Sequence, residues 1–229
     1  MSTFNSLLEN SVESKTLKAH CTEHPTKRFK LMDIINKAIK DKGPNCDLNF
    51  IDVSKIDNME ELFWQFDEFN GDISQWDVSN VEDMSCMFQE SAFSGDISHW
   101  NTKNVHYMNA MFSSSEFNGD ISQWDVSNVE DMKFMFCESN FNGDISHWNV
   151  SKVFDMSYMF KKSSFKGDIS SWDISNVNLA FCMFKRAKYP KEKIKALAQK
   201  NPTFARIKDL IYSTFAFGFY LQNACNNAV

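Results

Sequence analysis

Trp76, Trp100, Trp124, Trp148 and Trp172 recur at a spacing of 24 residues, and this period constrains the fold more than any other feature of the chain. Five Gly-Asp pairs, beginning at Gly71, Gly95, Gly119, Gly143 and Gly167, keep the same phase. So do the Met-Phe pairs at 87–88, 111–112, 135–136, 159–160 and 183–184. The units run 70–93, 94–117, 118–141, 142–165 and 166–189. A degenerate unit, 45–69, precedes them: Asp47, Leu48, Ile51 and Val53 match Asp72, Ile73, Trp76 and Val78 at an offset of 25, with the extra residue between Phe63 and Phe69. Residues 70–84 and 118–132 are the same 15-residue string, so the array grew by duplication of a 48-residue pair. A unit this short cannot bury an apolar face alone; about three or more must stack to be stable.

Within a unit the apolar positions are Ile73, Trp76, Val78, Val81, Met84, Met87, Phe88 and Phe93. The first three have the spacing of the strand edge in leucine-rich repeats. From Val81 the rhythm becomes i, i+3, i+7, which predicts a short helix. Ser79 with Glu82, and Ser127 with Glu130, read as capping boxes before it. Asn70-Gly71-Asp72 is turn chemistry, with the glycine expected at positive φ. The predicted fold is α/β: a leucine-rich-repeat-like solenoid of six coils of about 24 residues. Each coil has a short strand and a short helix, and parallel strands roughly 4.8 Å apart stack the tryptophans in an internal column.

Helical caps are expected at both ends. Over 26–44, Leu31, Ile35, Ala38 and Ile39 fall at helical spacing before Gly43-Pro44. Over 190–229, Pro190 opens one helix to about Lys200, and a second runs from about Thr203 to Ala224. The first segment, 1–25, reads as mobile or weakly helical.

Charge divides the chain. Residues 45–184 hold seven basic residues against 23 acidic ones, whereas 185–229 hold nine against two. An acidic array argues against wrapping nucleic acid, which needs clustered Lys and Arg. The basic stretch from Lys185 to Lys208 could touch nucleic acid or the acidic array of another copy, but Lys188, Lys191 and Lys195 also suit the solvated face of a capping helix. Six cysteines form no CxxC pair, which fits free thiols in a reducing compartment. The N-terminus has no apolar signal core, and Leu210–Leu221 is too short to span a bilayer. The expected location is the cytoplasm.

Repetition also weighs on the candidate sites. The Asp column (Asp72, Asp96, Asp120, Asp144, Asp168) is expected to accept backbone N–H groups in its own turns rather than to hold calcium, because no calcium-loop spacing is present. His99 and His147 stand two coils apart, too far to share a zinc, and His20, Cys21 and His24 lack a second cluster. Every Ser of the Asp-Ile-Ser run recurs, so none reads as a unique nucleophile. No catalytic residue, metal or cofactor is assigned. The candidate binding surface is the polar outward side of the strand ladder. It comprises Ser74, Ser98, Ser122 and Ser146; Gln75, His99, Gln123 and His147; and Asp77, Asn101, Asp125 and Asn149. Phe154, at an outward helix position, is a further anchor candidate.

The unit F-N-G-D-I-S-x-W-D-V-S-N-V-x-D-M-x-x-M-F, as in Phe69–Phe88, resembles the BspA-like leucine-rich repeat proteins of bacteria. The branch it resembles is catalogued as a Mycoplasma-type domain of unknown function. The resemblance covers about 43–189 and includes the lead-in from Gly43 to Leu48. It implies a leucine-rich-repeat-like solenoid, surface exposure or secretion in many members, binding to host or partner proteins, and no catalytic residues. The expectation is a non-enzymatic scaffold for a protein partner, with self-association or a surface adhesin role as alternatives.

Overall fold

The computed structural model describes residues 27–64, 66–201 and 203. The expected N-terminal segment, the His20/Cys21/His24 group and the second C-terminal helix lie outside them. Helix α1 spans Arg28–Lys42 and helix α2 spans Lys191–Lys200. α1 buries Leu31, Ile35 and Ala38 and ends at Gly43, whose φ of 88° only glycine adopts cheaply. α2 follows Pro190 and buries Ile194 and Leu197. After α2, the buried Asn201 side chain donates to the carbonyls of Ile174 and Val177, tying the helix end to the last unit.

Between the helices lies a repetitive domain packed across long sequence distances. All eight apolar positions of the 70–93 unit, from Ile73 to Phe93, are buried. The five repeated tryptophans are 2–4% exposed, and Trp100 stacks on Trp124 at 6.3 Å. The more continuous columns are phenylalanine. Phe63, Phe88, Phe112, Phe136, Phe160 and Phe184 stack at 5.4–5.9 Å. Phe69, Phe93, Phe117, Phe141, Phe165 and Tyr189 form a second column at 6.0–6.4 Å. Phe63 meets Phe88 at an offset of 25 residues and Phe69 meets Phe93 at 24, so the extra residue of the first unit does lie between Phe63 and Phe69.

The local conformations differ from the expected strand and helix. Among the described residues there is no extended strand, only isolated parallel bridges joining Asn58, Asp83, Tyr107, Asp131, Asp155 and Leu179, and Asp47 with Asp72. The unit-to-unit backbone ladder runs through the half read as helical. Met84, Cys86, Phe88 and Glu90 donate their N–H groups to Tyr107, Asn109, Met111 and Ser113 of the next unit at 2.8–3.0 Å. His106 N–H returns to the Glu82 carbonyl at 2.8 Å. Each N–H spent between units is unavailable to an i→i−4 bond, so no helix forms there. The ladder also fails to become a strand, because two residues in each of the last five units take the left-handed conformation, among them Cys86 (φ 56°), Glu90 (58°), Phe134 (60°) and Glu138 (57°). They sit third in tight turns, Cys86 where Met87 N–H reaches the Met84 carbonyl at 3.3 Å and Glu138 where Ser139 N–H reaches the Phe136 carbonyl at 3.4 Å.

The half read as strand is instead a pair of turns. Trp76 N–H bonds the Ile73 carbonyl and Val81 N–H bonds the Val78 carbonyl. No capping box forms: Ser79 N–H donates to Asp77 and Glu82 N–H to the Asp57 carbonyl. The repeated glycines do not take positive φ either; among the described glycines only Gly43 does. A Cβ on Gly119 would lie 2.8 Å from the Phe117 ring, and one on Gly143 2.8 Å from Phe141. Close packing of the phenylalanine column, not turn geometry, selects glycine there.

Candidate functional site

Each unit presents two stretches of perimeter, which we call the Asx stretch (Asp72 to Asn80 and its equivalents) and the ladder stretch (Glu82 to Glu90 and its equivalents). On the Asx stretch, the first Asp of each unit accepts the N–H of the Ser two residues on, at 2.9–3.0 Å from Ser74, Ser98, Ser122, Ser146 and Ser170. That backbone N–H, followed by other local hydrogen bonds, holds the carboxyls of Asp72, Asp96, Asp120, Asp144 and Asp168 below the usual range. Asp77, Asn101, Asp125 and Asn149 accept in the same way from residues 79, 103, 127 and 151. Units are joined here by side chains. Trp76, Trp100, Trp124, Trp148 and Trp172 donate Nε1–H to a carbonyl of the preceding unit at 3.0–3.3 Å. Asn104 and Asn128 do the same through Nδ2, at 2.7 and 2.6 Å.

Twelve of the thirteen predicted binding residues therefore share this strip. Eight of them, Gln75, His99, Gln123 and His147 with Asp77, Asn101, Asp125 and Asn149, are exposed; Ser74, Ser98, Ser122 and Ser146 are half-buried against their aspartates. Phe154 does not join them. It lies on the ladder stretch, 50% exposed.

The ladder stretch carries the exposed aromatics. Tyr107, Phe154 and Phe181 are 45–51% exposed, and Phe134 stacks on Tyr158 at 4.6 Å with the planes 6° apart. Equivalent positions in other units hold different residues: Phe154 corresponds to Glu82, His106, Glu130 and Asn178, and Phe181 to Ser85, Asn109, Lys133 and Ser157. Sequence reading singled out Phe154 but missed Tyr107, Phe181 and the Phe134–Tyr158 pair. The available signal was an aromatic at a position that other units fill with small or charged residues.

Burial pushes the Asp131 carboxyl up, against the pull of the Lys133 N–H it accepts at 2.8 Å. It also raises the Cys86 and Cys137 thiols to about 11, which keeps them protonated and weakly nucleophilic at neutral pH. Among the described residues, no group of three or more His, Cys, Asp or Glu side chains is arranged to hold a metal ion. A shallow cavity of about 770 Å³ lies beside the end of α1, lined by Lys42, Phe50, Gln75 and Asp77 among others. Two lysines of α2 dock on the last unit: Lys193 Nζ donates to the Gly167 carbonyl at 3.3 Å, and Lys200 reaches the Ser170 carbonyl. No described helix is long and apolar enough to cross a membrane.

The family model of Mycoplasma proteins of unknown function, DUF285, matches the chain twice, over residues 32–139 and 114–218. The chain belongs to this family. The two DUF285 segments overlap at 114–139, so one stretch satisfies two registers of the same model, as a tandem repeat does. Together they reach from α1 through α2. No curated protein and no solved structure matches the chain.

Proposed function

We propose that this DUF285 chain is a non-enzymatic, protein-binding repeat scaffold, built as a leucine-rich-repeat-like solenoid of the BspA type. The observation that carries this reading is the division of labour between the two stretches. Residues that recur in every unit are engaged in turns and inter-unit bonds, whereas the ladder stretch varies from unit to unit and exposes large apolar side chains. Scattered surface apolar residues are ordinary in soluble proteins, but several aromatics along one side of a repeat array mark an interaction surface. The Cys86 and Cys137 thiols are held protonated, and serines that recur in every unit suit structure better than a unique nucleophile. The polar side chains Gln75, His99, Gln123 and His147 supply a second candidate strip.

The experiment is a cross-linked pull-down from the native cell with three forms of the full chain. One is wild type. The second changes Gln75, His99, Gln123 and His147 to Glu, and the third changes Tyr107, Phe154 and Phe181 to Ser. Circular dichroism checks that each is folded. Loss of a specific partner from the third form alone assigns the ladder stretch. Loss from the second alone returns the site to the Asx stretch. Recovery of no specific partner, neither another protein nor a second copy, removes the scaffold reading.

A further inference from the structure

The ladder stretch is acidic at one end of the array and basic at the other, with Glu130, Asp131 and Glu138 against Lys133 in the fourth unit between them. In the first two units its positions hold Asp57, Glu60, Glu61, Glu82, Asp83 and Glu90, and no basic residue. In the last two units they hold Lys161, Lys162, Lys185 and Arg186 against the single acid Asp155. Glu82, Glu90, Lys162, Lys185 and Arg186 are all exposed. The Asx stretch has no such division, its charge being acidic or neutral unit by unit.

The aromatics are offset toward the basic end. Phe134, Phe154, Tyr158 and Phe181 fall in the last three units, where the acidic end offers Trp64, 47% exposed, and small side chains. Stacking requires none of this, because units that lack these residues form the same ladder bonds. Opposite charges at the two ends of one surface are self-complementary when a second copy is laid over it in reverse order.

We propose that the ladder stretch is an isologous interface, on which a second copy of this chain packs antiparallel. This rests on the reading of the chain as a binding scaffold and names its partner. The two-fold axis lies in the plane of the surface, across the array between the third and fourth units. That operation reverses the order of units but keeps each column over itself. The second unit then faces the fifth, setting Glu90 over Lys162 of the second copy and Cys86 over its Tyr158. The third faces the fourth, setting Ala110 over Phe134. Cys86 and Ala110 each receive a ring and each pairing occurs twice, with Asp83 over Asp155 the like-charge contact that the register must carry. Lys162 already bonds Glu138 of its own chain at 2.8 Å, so it enters the interface partly ordered.

The test uses the full chain and two charge variants, Glu90→Lys and Lys162→Glu. Circular dichroism confirms folding, and sedimentation equilibrium gives the mass. Wild type is expected to be a dimer that weakens as salt is raised. Each variant alone sets like charges together and should dimerise at least tenfold more weakly. An equimolar mixture of the two restores both pairings and should return to the dimer mass. Three results overturn the proposal: a monomeric wild type at its highest soluble concentration, variants that dimerise as wild type does, or a mixture that stays monomeric. A monomeric wild type that still captures another protein in the pull-down leaves the scaffold reading standing and removes only the self-pairing.

Discussion

The Asx and ladder stretches of each unit solve the same problem, joining one unit to the next, with opposite chemistry. On the Asx stretch side chains make the joints: a tryptophan Nε1–H and an asparagine Nδ2–H each reach a carbonyl of the preceding unit. On the ladder stretch the backbone makes them, through Met84, Cys86, Phe88 and Glu90. A joint made by a side chain requires the same residue in nearly every unit. A joint made by main chain leaves the side chain free to differ. The freedom to carry aromatics and a division of charge on one stretch follows from which atoms hold the units together.

The largest test of this contrast is Trp124→Ala against Phe154→Ala. The first removes a buried ring and its Ile97 bond and should cost about 3–5 kcal/mol in urea unfolding. The second should change stability by about 0.5 kcal/mol or less. Equal losses would break the distinction between a structural and a free stretch. Next is Gly119→Ala, where the added methyl meets the Phe117 ring and should cost about 1–3 kcal/mol.

A smaller effect of opposite sign is expected at Glu138, whose left-handed φ of 57° strains any side chain that carries a Cβ. Glu138→Gly should stabilise by about 1 kcal/mol in the same assay. A net loss would mean that the ion pairs of Glu138 with Lys161 and Lys162 outweigh the strain.

The smallest test is acid titration, in which the two stretches should move in opposite directions. The folded-state pKa of Asp120 lies below its unfolded value, so its contribution is complete above about pH 4 and is lost as pH falls through the folded value. The Asp131 pKa is raised by burial, so its contribution is full below about pH 4 and is lost as pH rises through the folded value. Asp131→Asn should therefore raise Tm at pH 7, and Asp120→Asn should reduce the loss of Tm on acidification. Melting curves at pH 7 and pH 3 check both.

The period, the unit boundaries and the buried set were legible in the sequence, because stacking demands an identical apolar pattern in every unit. The φ signs were not. Cys86, Phe134 and Glu138 carry no mark of a left-handed conformation, and without it Val81, Met84 and Phe88 read as one helical face. Glycine misled for the reverse reason: Gly119 is small because a ring lies on it, not because it turns. Phe154 was visible as an outward-facing side chain. Tyr107 and Phe181 were not singled out, although the equivalent positions in most other units hold small or polar residues.

Nearly every junction in the array repeats the same bonds, and this makes the units exchangeable. Excising residues 118–165 would join Phe117 to Lys166 and present the third unit with the sixth, whose Trp172 and Asn176 match those removed. Each unit gained or lost changes each phenylalanine column by one ring, without new chemistry at either cut. Recombination between like units would thus lengthen or shorten the ladder stretch one unit at a time.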